Sequence, residues 1–326
     1  MKRFALVCLT LGLLTACRKD DVIVCVFPTP TALADVMVAA PPVQTFTFAL
    51  NQPQSLRTSR GTVIAFGPNS LVLPDGSLAT GTATLRVREL HSVGDIVLAG
   101  LHTNLANNTR QLLVSAGEFN VQLWQGTTRL RWKTLTTTSS SPLATLTAPV
   151  PQAGLDTTRM FLWNLPFGPT AAAVRPALAD SVGWQPVRQG GQNNWNPLLQ
   201  NNGFYTATLP LDTISWLNFD QYWRPGSPAV WTWAEVRVPA GALETRVYIR
   251  PVGYTSLCRT FGTANDPTRW RNHFPEGTDV QAIVLQAREG RLYFGTQRYR
   301  WQGGQVVEPT LQALSAAEIV QRIQQL

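Results

Sequence analysis

Phe46, Phe48 and Leu50 alternate with Thr45, Thr47 and Ala49, and this every-second-residue rhythm is the feature that most constrains the chain. It returns where Leu85 and Val87 alternate with Arg86 and Arg88, and where Phe119, Val121 and Leu123 alternate with Glu118, Asn120 and Gln122. A period of two puts alternate side chains on opposite faces, so these segments read as strands with one buried face. Gln125-Gly126 turns the chain into Arg129–Trp132 and predicts a hairpin. No window from 44 to 132 has the spacing of an amphipathic helix. The charged fraction is 14%, which excludes coiled coils, long solvated helices and disorder.

At 326 residues the chain is long enough for two domains, each with its own core. Seven of the eight residues from Thr134 to Ser141 carry hydroxyls, and Pro142, Pro149 and Pro151 follow, which predicts a joint between domains 44–150 and 151–326. Beyond it, strand-like runs recur at Met160–Trp163, Gly183–Val187, Phe204–Leu209, Ile214–Asn218, Trp231–Val238, Thr245–Arg250, Val280–Ala287 and Arg291–Phe294. Ile283 and Leu285 oppose Ala282 and Val284, so that strand is expected to be covered on both faces. Ser315 and Glu318 form a capping box ahead of the stripe Ala316, Ile319, Ile323 and Leu326, a helix expected to pack on the second domain. The expected fold is all-β: two β-sandwich-like domains with one short C-terminal helix.

The N-terminus speaks to location. Lys2 and Arg3 precede an apolar run from Phe4 to Ala16, too short to span a hydrocarbon core of about 30 Å but right for a signal peptide. Leu14-Thr15-Ala16-Cys17 resembles a bacterial lipobox, which implies cleavage of residues 1–16 and acylation of the Cys17 sulfur. Each buried CH₂ of such an anchor contributes about 0.8 kcal/mol to membrane attachment. The alternative is an ordinary secretory signal with an incidental cysteine. Residues 17–43, with Phe27-Pro28-Thr29-Pro30 and Pro41-Pro42, read as a lipidated N-terminus and Pro-rich tether. Arg18-Lys19-Asp20-Asp21 resembles the export signal of Bacteroidetes surface lipoproteins; the alternative is a solvated tether on the periplasmic face of the outer membrane. In that oxidising compartment Cys25 and Cys258 either bridge or stay free.

Four segments carry a further resemblance: Gly61–Phe66, Leu71–Gly76, Gly81–Leu90 and Leu113–Phe119. They are similar to a recurrent β-sandwich of Bacteroidetes lipoproteins that is distantly like the ZU5 domains of ankyrins and netrin receptors. Phe204-Tyr205 and Trp216–Asp220 resemble the second half of such lipoproteins. The resemblance implies an interaction or assembly module and carries over no catalytic residue.

Twenty-seven basic residues against 19 acidic give +8, but only Lys2, Lys19 and Lys133 are lysines and the arginines are scattered. Nucleic-acid binders need clustered phosphate contacts, so that partner class is set aside. His91, His102 and His273 fall in no metal-ligand spacing, and no phosphate loop, G-x-S-x-G or calcium-loop pattern occurs, so no cofactor or metal is expected. His91 and His102 flank Asp95 and read as surface-loop residues. Glu89 shares the parity of Leu85 and Val87 and is expected inside, taking a hydrogen bond or ion pair at the sheet edge. A glycosidase needs two carboxylates across a cleft, and Asp212, Asp220, Glu235 and Glu244 cannot be paired by sequence.

Of eleven tryptophans, several crowd one region with a tyrosine: Trp216, Tyr222, Trp223, Trp231 and Trp233, around the Arg224–Pro228 loop. Trp231, Trp233 and Glu235 share a strand face, suited to stacking on a sugar ring or anchoring a protein partner if exposed, and to core filling if not. Asp156-Thr157-Thr158, Asp180-Ser181-Val182 and Asp212-Thr213-Ile214 resemble Bacteroidetes O-glycosylation acceptors at Thr157, Ser181 and Thr213. The expected role is that of a lipid-anchored, non-enzymatic binding or assembly protein; a carbohydrate-binding module and a hydrolase are the alternatives.

Overall fold

The computed structural model describes residues 32–106, 108–133, 144–149, 159–165, 183–187, 198–201, 203–209, 216–225, 229–263 and 265–326. The expectations for Cys17, Cys25, Thr157, Ser181 and Thr213 lie outside these residues. The alternating segments pair in registers that keep their apolar parity aligned. Sheet I has the order Leu199–Asn201, Phe204–Thr208, Ala144–Pro149, Val63–Phe66, Gln54–Arg57. Sheet II has the order Gln44–Ala49, Thr82–Leu90, Asn108–Gln125, Trp216–Tyr222, Phe161–Leu165, Gln185–Pro186, with Asn104–Leu105 and Thr128–Arg129 also on its long third strand. Ile64, Leu146 and Ala207 of sheet I face Leu85, Phe119, Val121 and Phe219 of sheet II across one core. That pair of sheets is a β-sandwich.

The second face of sheet II is covered too. Its Leu90, Leu113, Trp163, Leu165 and Trp216 meet three short helices, α1 (Ala34–Met37), α2 (Val93–Leu98) and α3 (Ala316–Gln324), and one side of sheet III. Sheet III has the order Cys258–Arg259, Glu244–Pro251, Asp279–Arg288, Arg291–Arg300, Gln312–Leu314. Ile283 and Leu285 join this middle core, while Ala282 and Val284 join a third core on the far side, so the strand is buried on both faces as its apolar run predicts. Sheet IV closes the third core with Ala234, Val236 and Phe274; its order is Phe261–Thr263, Asp266–Pro275, Trp231–Arg237, Val306–Val307. The 18-residue strand Asn108–Gln125 touches every core: Phe119, Val121 and Leu123 the first, Leu113 the second, Leu112 and Val114 the third.

Four expectations change. A boundary at residue 150 does not separate the sheets: Phe161–Leu165, Phe204–Thr208 and Trp216–Tyr222 pair within sheets built from residues before it, and Thr31–Leu326 is one compact unit. The tether does not extend to residue 43, because Leu33 and Val36 are fully buried in the middle core. A helix also occurs within 44–132. In α2 the Ser92 hydroxyl accepts the Asp95 N–H at 3.0 Å, but with five of its six residues buried it has no polar face for periodicity to reveal. The capping box of α3 forms as expected. Its stripe, however, packs against α2: a Cβ on Gly94 would stand 2.6 Å from the Ile323 carbonyl oxygen. The helix therefore closes the middle core rather than the second half of the chain alone.

Candidate functional site

Sheet IV supplies the exposed chemistry. Trp231–Arg237 runs antiparallel to Asp266–Pro275, with Trp233 opposite His273, Glu235 opposite Arg271 and Arg237 opposite Arg269. Opposed residues share a face, and since Ala234, Val236 and Phe274 point into the core, this ladder forms the other side. The Trp233 ring lies 3.7 Å from the His273 ring, centroid to centroid, tilted by 34°. The Arg271 guanidinium sits 4.7 Å from the Trp233 centroid, a cation–π contact. Trp233 is nevertheless 47% exposed.

Further along, Glu235 accepts two hydrogen bonds from Arg269, Nε at 2.9 Å and Nη2 alongside it, and lies 3.7 Å from Arg237. Glu235 is thereby committed. No carboxylate among the described residues pairs with Arg271. Burial first, then the charges of Arg110 and Arg271, hold His273 below the usual imidazole range, so the ring under Trp233 is neutral at pH 7.

The other aromatic candidates do not join Trp233. Trp223 is 6% exposed and is enclosed by Trp231, Tyr254 and Phe274, with centroids at 6.2, 6.4 and 6.0 Å. Trp231 is half-buried against it. Trp216 is buried in the middle core, and Tyr222 is half-buried, edge-on to Trp163 at 5.4 Å. These four fill space; among the described tryptophans only Trp233 is exposed.

The remaining candidates are structural. Glu89 points inward as expected, accepting from Gln44 Nε2 at 2.9 Å with His91 Nε2 at 3.5 Å. Burial pushes its carboxyl up, and hydrogen bonds from His91, Thr62 and Thr58 outweigh it, leaving the group below its ordinary value. Asp95 accepts the backbone N–H of His91 and pairs with Arg60, so the two histidines do not meet through it. His102 is not at the surface as expected but sealed, with burial and Arg259 pushing its imidazole down to about 3. Glu244 pairs with Arg246. Cys258 is a fully buried free thiol whose pKa burial raises.

One cluster was missed from sequence. A bulge in the pairing between Phe219 and Asp220 sets Ser115 opposite Asp220 and Glu118 opposite Asn218, all four on the covered outer face of sheet II. Ser115 Oγ donates to Asn218 Oδ1 at 2.7 Å, and Asn218 Nδ2 donates to Asp220 Oδ2 at 2.5 Å. Glu118 and Asp220 are fully buried. Burial pushes both carboxyls well above the ordinary range, and for Glu118 the neighbouring Asp220 adds to it. The signal was present in Trp216–Asp220, where Asn218 and Asp220 interrupt an otherwise apolar strand.

Among the described residues no three His, Cys, Asp or Glu side chains converge on a metal position, and no helix is long and apolar enough to cross a membrane. No family model matches the chain, and no curated protein matches it.

Proposed function

We propose that this chain is a lipid-anchored outer-membrane protein, displayed at the cell surface, with a non-enzymatic binding or assembly role, and that it binds through the outer face of sheet IV at Trp233. The observation that carries the reading is the Trp233–His273–Arg271 stack. An indole held in place by two neighbours yet 47% exposed offers a flat apolar surface beside guanidinium N–H donors. That combination suits a sugar ring, with its apolar face and hydroxyl rim, so carbohydrate is the ligand class favoured here. The leader and Cys17 support the anchor, and the likeness to ZU5-like lipoprotein modules agrees with a binding role. The hydrolase reading gains no support from Glu118 and Asp220, which are sealed from solvent.

Three experiments test this. Cys17→Ala should move the protein from the detergent to the aqueous phase; equal partitioning of variant and wild type would remove the anchor. A panel of envelope polysaccharides, screened with wild type and Trp233→Ala, should give a ligand that the variant binds several-fold more weakly, since stacking on an exposed ring contributes about 1–3 kcal/mol in the comparable case of nucleic-acid bases. Unchanged binding by the variant would move the site elsewhere, and protection of intact cells from protease shaving would place the protein on the periplasmic face.

A further inference from the structure

The buried quartet on sheet II has unmet electrostatic demand. Both Glu118 carboxylate oxygens and Asp220 Oδ1 are enclosed and have no hydrogen-bond partner among the described residues. No ion pair there joins either residue to an arginine, lysine or histidine. Their sheet neighbours are apolar: Leu90 is opposite Glu118 on one side, and Trp163 and Phe161 are opposite Asn218 and Asp220 on the other. Buried carboxylates in such a setting are paired with a cation, bound to a metal, or neutral. Ser115 donates to Asn218, Asn218 in turn serves Asp220 on one oxygen only, and nothing serves Glu118.

The backbone accounts for the gathering. In a regular strand Ser115 and Glu118, three apart, would face opposite ways. The bulge places Gly117 opposite Phe219 and Ser115 opposite Asp220, leaving Ala116 as the extra residue, and returns both polar side chains to one face. We propose that Glu118, Asp220, Asn218 and Ser115 form a buried oxygen-donor site for one calcium ion that ties the centre of sheet II together. The donors are carboxylate, amide and hydroxyl oxygens without nitrogen or sulfur, which selects a hard cation. Two carboxylates neutralise a divalent ion, and the long reach of Glu118 permits bidentate ligation. Calcium sheds its water for protein oxygens more readily than magnesium, which keeps several waters that this apolar surround does not supply.

Because the site is enclosed, metal enters with folding. The full chain is unfolded in guanidinium, refolded in detergent at neutral pH with either excess EDTA or calcium, and desalted. Elemental analysis should find one calcium per chain after the calcium arm and none after the EDTA arm. At calcium about a hundredfold above Kd, linkage should raise the melting temperature by roughly 5 °C. Glu118→Gln should refold without retaining calcium and should melt alike in both arms. If that variant fails to fold, the wild-type stoichiometry still decides. Wild-type chain that retains no calcium and melts identically in both arms would overturn the proposal. So would calcium retained equally by Glu118→Gln.

Discussion

Replacing Trp223 and Trp233 by alanine, separately, should split two side chains that look alike in sequence. A tryptophan side chain presents about 200 Å². Trp223 has lost nearly all of it to Trp231, Tyr254 and Phe274, whereas Trp233 keeps 47% in solvent. At about 25 cal/mol per Å², truncation removes roughly 4–5 kcal/mol of burial at the first position and roughly 2–3 at the second. The unfolded chain already hides part of its surface, which lowers both figures and largely cancels in their difference of about 2 kcal/mol. It should widen, since the hole left at Trp223 is enclosed by rings that cannot all collapse into it, while His273 and Arg271 simply become hydrated. For a unit of this size the two variants should melt about 3–5 °C apart, Trp223→Ala lower. Scanning calorimetry on both decides the matter. Equal drops would mean that Trp233 is core and that the exposed stack is not a binding surface.

Three further outcomes follow from named contacts. His102 is held neutral down to about 3, while in the unfolded chain it takes a proton near 6.5, so stability should fall as pH drops through that window, by up to about 1.4 kcal/mol per pH unit. His102→Asn should flatten that acid slope in denaturant titrations at pH 6.5, 5.5 and 4.5, and parallel slopes would refute it. Gly183→Ala puts a Cβ 2.3 Å from the Ala106 nitrogen and 2.4 Å from the Leu105 carbonyl carbon, so it should cost about 1–3 kcal/mol in urea unfolding; a neutral result would mean that Gly183 does not pack against the 105–106 backbone. Ser315→Ala removes the hydroxyl that accepts the Glu318 N–H and should cost about 1 kcal/mol, seen as faster proteolysis of the C-terminal helix.

Local structure was legible wherever a residue's own neighbours decide it. Phe119, Val121 and Leu123 keep their strand parity, and Ser315 with Glu318 sets the start of the last helix, because strand faces and caps are settled within a few residues. The domain plan was not legible. Asn108–Gln125 pairs with Trp216–Tyr222, about a hundred positions on, and no pattern in either strand names its partner. The hydroxyl-rich stretch before residue 142 looks like a joint between domains, yet Ala144–Pro149 beyond it returns to pair with Val63–Phe66. Composition marks where a chain leaves a sheet. It does not say which sheet the chain re-enters.

The candidate sites were hidden by one common cause: alternation assigns a side chain to a face and says nothing about what covers that face. Glu118 alternates with Phe119 just as Trp233 alternates with Ala234, and in each case the parity is right. A sheet in a single sandwich would leave the polar parity in water, and Glu118 would then be an ordinary solvated carboxylate. Here α1, α2, α3 and sheet III lie over that side, so the same alternation carries a carboxylate into a dry layer. Sheet IV is the last layer among the described residues, and the polar parity on its outer side keeps Trp233 and Arg237 in solvent. Stacking order therefore sets what each polar row meets: the inner sheet carries its row into a dry layer, and the outer sheet keeps Trp233 and Arg237 in solvent.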